Sequence, residues 1–286
     1  MTRQRDFTRT INVAGQKLRV RVRRGVGVPL LLCNGIGASL EVLDPLVDNL
    51  ESSRTVIRFD VPGTGMSPAP ILPLGFPQLA WMVGCLLDQL GHARVDVLGY
   101  SWGGALAQQY ALQNPHRCRR LVLVATATGA LMVPAKPSVL TKMLTPRRFT
   151  DPDYLASIAH TLYGGTSGAE SAIPVAGIVA RHHPGSARGY LYQLIAGAGW
   201  TSLFALPAIR QPTLLIAGSD DPIIPMVNAR IMDRLLPNAT LEVHTGGHID
   251  LLSNASSIAP VIDRFLNRHN NVPRSRQRLW RPRFRR

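Results

Sequence analysis

Six short apolar runs without alternation, residues 28–33, 55–59, 95–98, 121–125, 213–217 and 240–243, constrain this chain more than any other feature. A strand wetted on one side alternates apolar and polar residues, so unalternated runs bounded by Gly, Pro and Asp predict strands buried on both faces, as in a parallel sheet. Between most of them lie amphipathic segments of helical length, residues 43–50, 77–90, 103–112, 227–236 and 258–267. Strand and helix alternate, which predicts an α/β class with a mostly parallel central sheet flanked by helices. Ahead of them, residues 9–24 alternate apolar and basic around Ala14-Gly15, the pattern of a half-exposed antiparallel hairpin.

One segment breaks the rhythm. Residues 130–205 separate two predicted strands, carry only nine charged side chains and hold seven of the 17 aromatics. That stretch is too long for an ordinary connection and too apolar for a linker. It predicts a helical cap inserted over the carboxyl ends of the strands, where open α/β sheets bind ligands. The domain reading is therefore a core over 1–129 and 206–270, a cap or lid over 130–205, and an arginine-rich, disordered tail over 271–286.

Composition narrows the class further. With 45% hydrophobic residues the chain holds enough apolar material for a sizeable core, which excludes a disordered protein. Cys33, Cys85 and Cys118 are odd in number and sit in apolar runs, which argues against a disulfide scaffold. Residues 1–10 lack the apolar core of a secretory signal, and no run approaches the ~18 apolar residues of a spanning helix. The expectation is a soluble, reduced, cytoplasmic protein. The net charge of +15 resembles that of a nucleic-acid binder until the charges are located, for residues 273–286 hold seven arginines and no acid. That tail, with Trp280 and Phe284 among its arginines, is read either as a solubilising segment or as a weak, salt-sensitive contact for anionic surfaces, with no specific nucleic acid expected.

The chemistry centres on Gly99-Tyr100-Ser101-Trp102-Gly103. This G-x-S-x-G follows a predicted strand and opens a predicted helix, the context in which a serine is lifted on a strained turn into a cleft. The glycines are expected because a side chain on either side of so tight a turn would clash. A serine needs a base and an orienting acid. Behind the run 213–217 comes Gly218-Ser219-Asp220-Asp221, and behind 240–243 comes Gly246-Gly247-His248. No acid occurs between Asp96 and Asp151, so the acid must follow the later strand. His248 lies past its strand on a Gly-Gly loop; His244 reads as a solvated strand residue, His182 and His183 fall in the cap, and His92, His116, His160 and His269 fall near helix ends or surfaces. His244 with His248 lacks a third metal ligand, so no metal site and no cofactor are expected. The oxyanion of acyl chemistry needs two N–H donors, expected from Trp102 and from Ile36 in Asn34-Gly35-Ile36-Gly37. The alternative for that loop is a plain tight turn. Asp60-Val61-Pro62-Gly63-Thr64-Gly65 lacks the lysine of a phosphate loop, and Asp60 is expected to hold loop amides.

Through D-x-P-G-x-G-x-S at Asp60, the serine motif, the acid loop and Gly-Gly-His, the chain resembles the α/β-hydrolase superfamily. It is more closely similar to the intracellular depolymerases of medium-chain-length polyhydroxyalkanoates. That likeness is carried by Cys33-Asn34-Gly35-Ile36-Gly37-Ala38, by Ser101 to Gln109, by Met132-Val133-Pro134-Ala135-Lys136-Pro137, by Tyr163-Gly164-Gly165 and by Gly199-Trp200-Thr201-Ser202. The spacing Gly218-x-x-Asp221-x-x-x-Pro225 resembles the family's acid loop and favours Asp221 over Asp220. The resemblance implies a triad of Ser101, Asp221 and His248 acting through an acyl-enzyme on poly(3-hydroxyalkanoate), releasing 3-hydroxy acids or oligomers, with the enzyme cytoplasmic and granule-associated. Met132, Tyr163, Tyr190 and Trp200 are candidate substrate contacts, or else packing within the cap. A general carboxylesterase or a 3-hydroxyacyl acyltransferase on the same triad is the alternative.

Overall fold

The computed structural model describes residues 6–165, 183 and 185–268. The tail 271–286, His182, His269 and residues 166–182 of the expected cap lie outside the described residues.

The hairpin comes first. β1 (Phe7–Val13) pairs antiparallel with β2 (Gln16–Arg23), and the turn between them has positive φ at both Ala14 (50°) and Gly15 (84°), the geometry whose twist matches two paired strands. Next come β3 (Val26–Cys33), β4 (Arg54–Phe59), β5 (Val95–Tyr100), β6 (Cys118–Val124), β7 (Thr213–Gly218) and β8 (Ala239–His244). The eight form one sheet of order β1-β2-β4-β3-β5-β6-β7-β8, parallel from β4 to β8. Each apolar run therefore becomes a strand, and the hairpin supplies the antiparallel edge.

The helices are α1 (Asp44–Asn49), α2 (Phe76–Gln89), α3 (Trp102–Gln113), α4 (Pro137–Met143), α5 (Pro152–Tyr163), α6 (Ala187–Ala198), α7 (Met226–Leu235), the single turn α8 (Asp250–Ser253) and α9 (Ala255–Asn267). α2 and α3 pack with Leu31, Val97, Leu121 and Leu123 on one face, while α1 and α9 pack with Leu30, Leu98, Val122 and Leu214 on the other. Alternate residues of the same strands feed opposite cores, as the period of two requires. α4, α5 and α6 all fall between β6 and β7 in sequence. The α4 and α5 pair forms a third apolar cluster with Ile223 and Ile249 from the loops after β7 and β8.

β8 departs from expectation. It lies at the sheet edge and is half-exposed, with Val243 54% accessible, because it has a neighbour on one side only. Burial on both faces holds only for strands with partners on both sides. His244, expected to be solvated, instead buries its Nε2 without a partner among the described residues.

Buried charge is paired locally. Asp96 on β5 is fully buried and meets Arg119 of β6 through two hydrogen bonds; burial pushes its carboxyl up while the guanidinium draws it down. Cys33 and Cys118 are buried thiols, and burial pushes Cys33 up to about 12. Tyr110 is one exception to satisfied polarity, for its ring is fully buried in α3 and its hydroxyl has no partner among the described residues. Tyr110→Phe removes that hydroxyl at nearly constant shape, so chemical denaturation is expected to show a gain of about 1 kcal/mol, the low end of an unsatisfied buried group's cost; a loss of stability contradicts this.

Candidate active site

Ser101 ends β5 and begins α3 with φ 53° and ψ −121°, a backbone region that an ordinary side chain rarely occupies. The packing around it explains how it stays there. A methyl group at Gly103 would lie 2.2 Å from the Cys33 carbonyl oxygen, and one at Gly99 would lie 2.4 Å from the Gly103 carbonyl oxygen. The helix therefore descends onto β3 and β5 at backbone distance, and the residue between must turn sharply. The Ser101 N–H donates to the Val124 carbonyl at 2.9 Å, and the Thr126 hydroxyl donates to the Ser101 carbonyl at 2.7 Å.

His248 arrives from the loop after β8, and its Nε2 lies 3.0 Å from the Ser101 hydroxyl. Its Nδ1 lies 2.7 Å from Oδ2 of Asp221, in the loop after β7. The carboxylate can only accept, which puts the ring proton on Nδ1 and leaves Nε2 to accept from the serine. The other oxygen of Asp221 accepts the N–H groups of Ile223 and Ile224, both at 2.9 Å, so the carboxylate is held from two sides. His248 and Asp221 are both buried, while Ser101 is half-buried. Asp220 does not join them, and its Oδ2 instead accepts the Gly165 N–H at 2.8 Å.

The imidazole is fixed through the backbone as well. The His248 N–H donates to the Tyr163 carbonyl at 2.7 Å, and the Tyr100 hydroxyl donates to the His248 carbonyl at 2.9 Å. The tyrosine ring lies 5.3 Å from the imidazole. A methyl group at Gly247 would lie 1.9 Å from the Tyr163 carbonyl oxygen, so only glycine lets the two loops touch. Burial and the neighbouring Asp221 carboxylate push the Tyr100 phenol well up, keeping it a neutral donor.

Beside the serine runs the loop 34–39. A methyl group at Gly35 would lie 3.6 Å from the Ser101 Cβ. Asn34 braces this loop, its amide nitrogen donating to the Ser39 carbonyl and its oxygen accepting the Gly35 N–H at 2.8 Å. Among the described residues neither the Ile36 N–H nor the Trp102 N–H donates to another group. Asp60 holds the adjoining turn, accepting the N–H groups of Leu40 at 2.8 Å and Met66 at 2.9 Å.

The four expected substrate contacts separate. Tyr190 is buried under the loop 34–39, its ring close to Gly37. Tyr163 is buried within the α4 and α5 cluster and reaches the site through its carbonyl. Trp200 packs in the core, its ring 5.0 Å from Phe76 and its Nε1 donating to Gln109 at 2.6 Å, so its burial has a packing cause. Met132 is half-exposed in the loop after β6, its N–H on the Gly129 carbonyl. Residues that sequence reasoning passed over also meet here: Tyr100, Arg148, Gln193 and Asp250, the last accepting the Gly247 N–H at 2.8 Å. Among the described residues no group of three His, Cys, Asp or Glu side chains could hold a metal ion.

Such an arrangement can turn a serine hydroxyl into a nucleophile and hold the oxyanion that results. Adjacent aspartates should then behave differently. Asp221→Ala is expected to lower kcat on p-nitrophenyl octanoate by about 10⁴-fold, whereas Asp220→Ala, which loosens only the Gly165 loop, should cost less than about tenfold. Equal losses in a side-by-side assay would contradict the assignment of the orienting acid.

Comparison with known proteins bears on the family and the fold. A family model described as alpha/beta hydrolase fold matches residues 28–255. A poly(3-hydroxyalkanoate) depolymerase from Ectopseudomonas oleovorans is 45% identical over 260 residues, covering 90% of this chain and 92% of that protein. A 3-oxoadipate enol-lactonase from Acinetobacter baylyi is 24% identical, covering 84% of this chain and 89% of its own. Of solved structures, the enol-lactonase from Burkholderia xenovorans LB400 superposes with a TM-score of 0.79 at 24% identity, covering 91% of this chain and all of that one, a likeness of fold alone. With its serine turn, its sheet order and a model matched across most of its length, this chain belongs to the alpha/beta hydrolase family.

Proposed function

We propose that this carboxylester hydrolase depolymerises poly(3-hydroxyalkanoate) of medium chain length, releasing 3-hydroxy acids or short oligomers through an acyl-enzyme on Ser101. The observation that carries the substrate class is the 45% identity to a depolymerase over nine-tenths of both chains, a span long enough to take in the segment between β6 and β7 as well as the core.

In this mechanism His248 Nε2 takes the Ser101 proton as the oxygen attacks the ester carbonyl. The Ile36 and Trp102 N–H groups hold the tetrahedral oxyanion, and Asp221 keeps the imidazole in its tautomer and stabilises the imidazolium. His248 then protonates the departing 3-hydroxyl oxygen. Water, deprotonated by the same imidazole, releases the acyl group as a carboxylic acid and restores the serine. Every proton moves through one ring nitrogen, so the short Nε2 to Oγ distance of 3.0 Å suits the reaction.

The polyester partner is a water-insoluble granule, and the enzyme would work in the cytoplasm at its surface. Two observations suit that setting. No helix of the described residues is long and apolar enough to cross a membrane. Ile71, Leu72, Leu191 and Phe204 leave large apolar side chains exposed. The arginine-rich residues 273–286 would add a weak, salt-sensitive contact to an anionic coat.

Release of 3-hydroxy acids from an amorphous poly(3-hydroxyoctanoate) latex tests the proposal. The wild-type protein is expected to release them, Ser101→Ala to lose about 10³-fold or more, and a short-chain polymer latex to react more slowly. Turnover of p-nitrophenyl octanoate without release from either latex would overturn the depolymerase reading and leave a general esterase or acyltransferase.

A further inference from the structure

Against the loop 34–39 lies a buried cation that no acid among the described residues neutralises. Arg148 is 3% exposed, and among the described residues it forms no ion pair; Arg147 beside it takes Asp151 at 2.8 Å instead. The partners of Arg148 are neutral. Its Nη1 donates to the Tyr190 hydroxyl at 2.8 Å, which donates onward to the Met143 carbonyl at 2.6 Å, and the Tyr163 phenol lies near enough to feel the charge. The guanidinium lies 4.4 Å from the Phe149 ring centroid and 5.4 Å from that of Tyr190. Phenols and ring faces soften a buried charge but do not cancel it, so the position is expensive unless an anion arrives.

A buried donor without a partner among the described residues lies nearby. Gln193 follows Tyr190 by three residues on the same face of α6 and is 3% exposed. Its Oε1 accepts the Gly37 N–H at 2.7 Å, while its Nε2 is buried without a partner among the described residues. Gly37 is where the residues around these donors meet the loop that carries Ile36. A methyl group there would lie 2.7 Å from Phe149 Cε2 and 2.8 Å from Tyr190 Cδ2, and Gly37 directly follows Ile36. From the other side, Tyr163 lies near Arg148 with its phenol and holds His248 through its carbonyl.

We propose that Arg148 and the Gln193 amide form a subsite for the free carboxylate of a terminal 3-hydroxyacyl unit, so that the enzyme removes units from the carboxyl end of the chain. This rests on the depolymerase reading above. The chain end is the one place where such a polyester carries a formal charge, and the guanidinium fork fits a carboxylate in two parallel hydrogen bonds. In a 3-hydroxy acid the carboxylate stands only a few bonds from the esterified oxygen, so cleaving the last ester brings it near those two side chains. The reaction is unchanged: the ester C–O bond breaks, water supplies the new carboxyl oxygen, and the leaving unit departs as an alcohol carrying its own carboxylate.

The test compares the linear dimer of 3-hydroxyoctanoate as free acid with its methyl ester, reading the ratio of kcat/KM. The wild-type enzyme is expected to favour the acid by about tenfold or more, the scale of a charge-assisted pair of hydrogen bonds. In Arg148→Gln the ratio should fall to about one, and in Gln193→Met part of the way. The ratio is independent of how much of a variant folds, since both substrates meet the same active population. Should Arg148→Gln yield no folded enzyme, the wild-type ratio decides. A wild-type ratio near one, or a ratio unchanged in Arg148→Gln, overturns the subsite and leaves Arg148 as a packing clamp between Tyr163 and Tyr190. Turnover of neither dimer, with Ser101-dependent turnover of p-nitrophenyl octanoate intact, overturns the depolymerase reading and the subsite with it.

Discussion

Everything in the site depends on how closely α3 approaches the sheet at Ser101. With no Cβ at Gly99 or Gly103, the helix settles onto the backbone of β3 and β5, and the serine is left with a positive φ that its own propensity opposes. The strain is local, and the burial that opposes it is not, since α3 is held by Leu106 and Tyr110 in the large core beneath it. The nucleophile is thus presented by a helix anchored in a buried apolar core. The same descent places the Trp102 N–H beside the serine, and the loop 34–39 comes to lie alongside it.

The base and the helices between β6 and β7 are coupled through backbone groups as well as side chains. His248 is held by the carbonyl of Tyr163 at the end of α5, by the hydroxyl of Tyr100 and by the Asp221 carboxylate. α5 cannot shift without pulling on the imidazole, and α6 cannot shift without pulling on Gly37 through Gln193. The helices between β6 and β7 are accordingly part of the catalytic geometry. Preorganisation of this kind is what lets hydrogen bonds act on developing charge without first reorganising.

Much of this was legible in the sequence, for identifiable reasons. Unalternated apolar runs carry the parallel sheet, and the serine motif carries its strand-turn-helix context. The order of serine, acid and histidine, with no acid between Asp96 and Asp151, leaves few assignments for the two groups that now flank the His248 ring at 3.0 and 2.7 Å. What escaped has physical causes. Residues 240–243 read like the other runs, but edge position is a property of the whole sheet, so the exposure of β8 has no local sign. Arg147 and Arg148 are neighbours of one type, yet the first is exposed on Asp151 and the second is buried among phenols. A carbonyl that holds His248 could belong to any residue, so the role of Tyr163 leaves no side-chain signature.

The central claim is that Ser101 carries a 3-hydroxyacyl group between two proton transfers run by His248. Rapid quenching of the enzyme with the 3-hydroxyoctanoate dimer, followed by mass spectrometry of its peptides, tests that claim most directly. The account predicts a transient population in which the peptide containing Ser101 is heavier by one 3-hydroxyoctanoyl group, and which decays as product appears. Product formation at full rate with that peptide unmodified at every time point, or with the acyl group on another residue, would contradict it.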